Sequence, residues 1–143
     1  MRVKDVMTPQ VEVIRSDSTL QEAAAKMKAR DLGPLPVCDN DRLVGMLTDR
    51  DITVRATAEG EDPTVIRVHD IMTPEVIYCF EDQPVEEAAR LMREKQVRRL
   101  LVLNRDRRLV GIVSLGDLAV DTGDEQLAGS TLEAVSEPTR PAR

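Results

Sequence analysis

Two pairs of side chains have the types and spacing for ligand chemistry. Thr48 with Asp51, and Ser114 with Asp117, each set a hydroxyl three residues ahead of a carboxylate, at the end of an aliphatic run that contains a glycine. The runs are LVGMLTDRD, Leu43 to Asp51, and LVGIVSLGD, Leu109 to Asp117. The spacing predicts a strand passing directly into a helix. Thr48 and Ser114 are the N-caps, and Asp51 and Asp117 stand in the first turn, where free N–H groups and the helix dipole favour negative charge. The same helix end suits a ligand anion, and Arg50 in the first turn of TDRD is a candidate to reach one. Its counterpart is Gly116. Gly45 and Gly111 lack a Cβ and permit a turn or the close approach of a neighbouring group.

Catalysis has no comparable support. A nucleophile-base-orienter set and a Walker-type glycine loop are missing, and the chain has one histidine, so neither an enzyme nor a catalytic residue is expected. Cys38 and Cys79 belong to no CxxC and sit in apolar runs, which predicts small buried hydrophobes. A redox or metal response through them is the alternative at these positions. His69 has no nearby second ligand, and no metal site is expected.

The segments that carry these residues occur twice. VKDVMTPQV, Val3 to Val11, returns as VHDIMTPEV, Val68 to Val76, with six of nine residues identical at an offset of 65. Pro9 and Pro74 turn the chain from a short turn into extended strands, expected at Val11 to Ile14 and Val76 to Phe80. The methionines of these segments read as core packing. An amphipathic helix is predicted from Thr19 to Asp31, opened by Thr19 and Glu22, with Leu20, Ala23, Ala24 and Met27 on one face. Its copy runs from Pro84 to Gln96, with Val85, Ala88, Ala89 and Met92 in the same places, and Pro84 suits the first helical turn. Two strands joined by a polar turn follow in each half: Leu35 to Cys38 with Leu43 to Leu47, and Arg99 to Leu103 with Leu109 to Val113. Helices then close each half, with Gly60 and Gly123 as expected stops. The fold class is therefore α/β (α+β), with two β-α-β-β-α repeats. The division is residues 1–60 for the first repeat, 61–67 for a linker, 68–123 for the second repeat and 124–143 for a C-terminal tail. Leu127, Leu132 and Val135 are expected to form one weak helix in that tail, with the last residues disordered.

Composition narrows the function classes. The chain has 143 residues, 41% of them hydrophobic, enough for one compact domain or two small units. Net charge is −6, and the only aromatic residues are Tyr78 and Phe80, so neither nucleic acid nor an anionic membrane is an expected partner. No apolar run has the length of a signal peptide or membrane span, which predicts a cytoplasmic protein.

Two copies of V-x-D-[VI]-M-T-P, a helix with E-A-A, and L-V-G-x-x-[TS]-x-x-D together resemble a pair of CBS (cystathionine-beta-synthase) domains, a Bateman module, over Val3 to Val120. The chain is similar to small stand-alone two-CBS proteins, and ARDLGPLPVCDNDRLVGMLTDRDI resembles the hypoxic response protein group of mycobacteria. The resemblance implies a pseudo-two-fold module whose two repeats create clefts for adenosine-containing ligands such as AMP, ADP, ATP, S-adenosylmethionine or NAD. It also implies a homodimer paired through helices. It assigns Asp51 with Thr48, and Asp117 with Ser114, to the ribose. It assigns Arg98 and Arg99 of QVRRLLV to the phosphates, and the first repeat has Gly33 and Pro34 there. An adenine would rest on strand residues, with Val13, Ile14, Pro36, Tyr78 and Leu101 as candidates.

These readings lead to a non-catalytic regulatory module with an adenosine ligand as its effector, no other cofactor, and a regulated protein partner. The alternative is a structural or protein-interaction dimer with empty clefts, favoured in one cleft by Gly33 and Pro34.

Overall fold

The aliphatic runs become strands and the amphipathic stretches helices in the computed structural model, which describes residues 1–121 and 125–137. In chain order the elements are α1 (Val3–Val6), β1 (Thr8–Pro9), α2 (Leu20–Arg30), β2 (Pro34–Asp39), β3 (Arg42–Thr48) and α3 (Asp49–Asp51), which runs on as a π-helix over Ile52–Thr57. They continue with α4 (Val68–Ile71), β4 (Tyr78–Phe80), α5 (Val85–Lys95), β5 (Arg99–Leu103), β6 (Leu109–Ser114), α6 (Leu115–Asp121) and α7 (Glu125–Val135).

The compact units divide the chain differently from the repeats. The first unit is Glu12–Val76, and the second joins Met1–Val11 to the chain from Ile77 onward. Each sheet thus receives its M-T-P segment from the other repeat. The reason is visible at the glycines. A Cβ on Gly45 would lie 2.6 Å from Met72 Sδ and 3.0 Å from the Thr73 carbonyl, and one on Gly111 would lie 2.6 Å from Met7 Sδ and 2.9 Å from the Thr8 carbonyl. Only glycine lets these segments lie so close to the strand.

In the first unit β2 and β3 form an antiparallel hairpin, and single bridges flank it: Thr73 to Met46, antiparallel, and Ile14 to Val37, parallel. Met46 and Thr73 exchange both backbone hydrogen bonds at 2.9 Å. One face is covered by α2, the π-helix and α4, through Leu20, Ala23, Met27, Leu35, Val37, Leu47, Val68 and Ile71. Burying a side chain such as Leu20 or Leu35 contributes about 1.5–3 kcal/mol.

In the second unit the order is β1-β6-β5-β4, with β4 parallel to β5 and the other pairs antiparallel. Its core gathers Val3 and Val6 of α1, Val85, Ala88, Ala89 and Met92 of α5, and Leu100, Val102 and Val113 of the strands. Met7 and Met72 pack beside their respective cores, as expected of them.

Several sequence expectations need correction. The strand expected at Val11 to Ile14 shrinks to the one bridge at Ile14. Ile14 donates to the Pro36 carbonyl and accepts from Cys38 N–H. The next rung would need an N–H from Pro36, which has none, while Ser16 N–H goes to the Asp39 carboxylate at 3.1 Å instead. The second unit has Leu101 at the position of Pro36, and there a strand of three residues pairs, although it begins at Tyr78 and not at Val76. Pro84 stands at the N-cap of α5, one residue before the first turn. The tail helix forms as α7, yet Leu132 is 45% exposed and the buried residue is Thr131. Gly60 ends the helical segment with φ +71°. Gly123 and the tail residues 138–143, expected as a stop and as disordered, lie outside the described residues.

Candidate ligand-binding sites

Both hydroxyl-carboxylate pairs close the reciprocal capping box that their spacing predicts. Thr48 N–H donates to Asp51 Oδ2 at 3.0 Å and Asp51 N–H to Thr48 Oγ1 at 3.1 Å. Ser114 N–H donates to Asp117 Oδ2 at 2.8 Å and Asp117 N–H to Ser114 Oγ at 3.1 Å. All four side chains are half-buried. The box engages one oxygen of each carboxylate and fixes its orientation. An ionised carboxylate has about four lone-pair directions, so each keeps acceptor capacity for a vicinal diol.

Strand register brings the candidate phosphate residues to the same places. Pro34 is opposite Thr48, and Arg99 is opposite Ser114. The Gly33 carbonyl accepts from Asp49 N–H at 3.0 Å, and the Arg98 carbonyl accepts from Leu115 N–H at 2.9 Å. Arg98 and Arg99 are exposed beside the second box, and Arg50 is exposed beside the first. Sequence reasoning overlooked Asp49. Its carboxylate lies 3.4 Å from where a Gly33 Cβ would be, and it accepts from Arg50 N–H at 3.0 Å. Leu115 holds the equivalent place in the second unit, so the signal was a comparison of TDRD with SLGD one residue at a time.

The adenine candidates separate by strand alternation. Tyr78 and Leu101 are direct neighbours in register, on the face opposite Leu100 and Val102 of the core. Val13 and Pro36 lie away from the first core by the same alternation. Ile14 does not join them: it is 8% exposed and packed into the core with Val37.

The cysteines are buried and free. Burial, followed by the charges of Asp41 and Asp39, pushes the Cys38 thiol up to about 11. Burial alone pushes Cys79 up to about 11. Both stay protonated and inert at neutral pH, in keeping with their reading as small hydrophobes. His69 Nδ1 lies 3.2 Å from Asp70 Oδ1 on the surface. No group of three or more metal-ligating side chains forms among the described residues. Among these residues, too, no helix is long and apolar enough to cross a membrane.

The geometry can be set beside known proteins. The CBS domain family model matches residues 3–56 and 68–120. CBS domain-containing protein YhcV of Bacillus subtilis is 43% identical over 134 residues, covering 94% of each chain. Hypoxic response protein 1 of Mycobacterium tuberculosis is 39% identical over 117 residues, covering 81% of each. The crystal structure of Hypoxic Response Protein I, which has two coordinated zinc ions, matches with a TM-score of 0.74 at 38% identity, covering 83% of this chain and 97% of that one. The CBS domain pair of protein MJ0100, solved with 5-methylthioadenosine and S-adenosyl-L-methionine, has a TM-score of 0.70 at 31% identity, with coverage of 86% and 100%. CBSX2, solved with AMP, has a TM-score of 0.70 at 29% identity, with coverage of 85% and 95%.

Proposed function

The chain belongs to the CBS domain family, and we propose that it is a regulatory module that binds adenosine-containing ligands at its two strand-helix junctions. The observation that carries this reading is the paired box, in which each of Asp51 and Asp117 is held by backbone and hydroxyl with acceptor capacity to spare. Each carboxylate accepts from the ribose hydroxyls, with Thr48 or Ser114 beside it. The ligands of MJ0100 and CBSX2 support the ligand class.

Charge separates the two junctions. Arg98 and Arg99 suit the second to a phosphorylated ligand such as AMP, ADP or ATP, with the base near Tyr78 and Leu101. Asp49 beside Gly33 suits the first to an adenosine derivative without phosphate, such as S-adenosylmethionine, with Val13 and Pro36 near the base. Binding shifts the balance between two conformations or dimer arrangements only so far as affinity differs between them. The exposed small residues Ala24, Ala25 and Ala29 on α2 support a homodimer through this helix.

Calorimetric titration of AMP and S-adenosylmethionine into wild type, Asp51→Asn and Asp117→Asn tests the reading. Asparagine keeps an acceptor for the cap and removes the charge. Loss of the charge-assisted bonds is expected to weaken the matching ligand about tenfold to a hundredfold. Unchanged affinities in both variants would overturn the ribose assignment. Absence of binding by any ligand would favour the protein-interaction dimer with empty clefts, the reading that Gly33 and Pro34 favour in the first unit. Analytical ultracentrifugation checks the dimer, which a monomer at every concentration would exclude.

A further inference from the structure

Helix α7 packs against α5 and α6 of the second unit and has no counterpart in the first. Its last turn reaches the residues that lead into the second box. Gln96 Nε2 donates to the carbonyls of Ala134 and Glu137, both at 3.4 Å, and Arg98 Nη2 donates to Ser136 Oγ at 3.3 Å. One turn earlier, Arg93 Nη1 donates at 3.3 Å to Thr131 Oγ1, and this fully buried hydroxyl donates to the Leu127 carbonyl at 2.7 Å. Arg98 is therefore engaged twice. Its carbonyl takes the first N–H of α6, and its guanidinium meets α7. In the first unit the corresponding residues are Asp31 and Gly33.

A guanidinium prefers an anionic oxygen to a neutral hydroxyl, because with a phosphate both partners are charged and the planar fork can engage two oxygens at once. A ligand phosphate at Arg98 thus competes with Ser136 and wins. We propose that α7 is a latch on the anion site of the second unit, with Ser136 as a positioning residue that holds Arg98 until a phosphate takes it. This deepens the reading above and rests on it. Linkage requires that phosphate binding loosen the last turn of α7, and that a tighter latch weaken phosphate binding by the same factor. A ligand without phosphate makes no call on Arg98 and is indifferent to Ser136. The latch therefore sets how strongly the second unit distinguishes AMP from adenosine.

The test uses the full chain carrying Asp51→Ala, so that the second junction is read alone, with Ser136, Ser136→Ala or Ser136→Asp. Adenosine and AMP are titrated into each. Ser136→Asp puts a carboxylate beside Arg98 and is expected to weaken AMP about tenfold, whereas Ser136→Ala strengthens it about threefold. Adenosine affinity stays within about twofold across the three, which a merely structural role for Ser136 would not produce. Hydrogen exchange supplies a second readout. The amides of Ser136 and Glu137, bonded to the Leu132 and Ala134 carbonyls at 3.0 and 3.4 Å, exchange faster with AMP bound and not with adenosine bound. Equal AMP affinities across the three proteins, or slower exchange with AMP, overturn the latch and leave the ribose reading standing. Failure of both ligands to bind any of the proteins overturns the ribose reading, and the latch falls with it.

Discussion

The two strand-helix junctions share a backbone and differ in charge. Each closes the same four-residue box, and each packs an M-T-P carbonyl against a glycine in the strand before it. Around the boxes, Asp49, Arg50 and Asp51 sum to −1 in the first unit, whereas Arg98, Arg99 and Asp117 sum to +1 in the second. What repeats is the part that the backbone needs, and what differs is the part that a ligand would meet. The duplication thus supplies two equivalent frames and two distinct chemistries.

The sharpest test of the shared frame is the pair Gly45→Ala and Gly111→Ala. The new Cβ meets a carbonyl oxygen at 3.0 Å in one and 2.9 Å in the other, and a backbone carbonyl cannot swing aside as a side chain does. Each substitution is expected to cost about 2–3 kcal/mol, seen as a melting point lower by several degrees. A large effect in one unit and none in the other would break the equivalence.

The distinct chemistries predict a binding asymmetry. Arg98→Ala with Arg99→Ala is expected to weaken AMP about tenfold while leaving S-adenosylmethionine unchanged, measured by calorimetry. The converse exchange, Gly33→Arg with Asp49→Leu, gives the first junction the counterparts of Arg98 and Leu115. Gly33 has room for a Cβ, since its nearest neighbour is 3.4 Å away, so AMP affinity there should rise about fivefold in an Asp117→Asn background. An unchanged affinity would show that charge at these positions does not separate the two sites.

The smallest effect concerns Cys38 and Cys79. Their folded-state values are raised above the ordinary 9.0 to about 11. The stability linked to each thiol is whole below pH 9 and is lost as pH climbs towards 11, amounting to about 1 kcal/mol per thiol at pH 10. Denaturant unfolding of Cys38→Ala and Cys79→Ala should show a flatter dependence on pH between 9 and 11 than wild type.

Much of this was legible in the residues. The internal repeat, whose offset of 65 becomes 66 past the longer second hairpin turn, and the hydroxyl-carboxylate spacing located both boxes, because an N-cap and its partner are separated by one helical turn and need no distant contact. The face of α5 followed from helical periodicity in the same local way, and so did that of α2 except at Ala24, which was expected beside Leu20, Ala23 and Met27 and is exposed. The short pairing at Ile14 was legible in principle, since Pro36 removes an N–H that a parallel neighbour requires. Asp49 was missed because a charged residue in a capping box reads as a favourable first-turn carboxylate until Gly33 is seen beside it.

The sequence by itself therefore determined the repeats, the caps and the two carboxylates, all set by interactions within a turn or two of chain. Only the tertiary structure decided that each sheet takes its M-T-P segment from the other repeat, that Ile14 faces inward while Tyr78 and Leu101 face away, and that α7 ends on Arg98. These depend on contacts between residues far apart along the chain, and the close packing that selects them has no signature in local spacing.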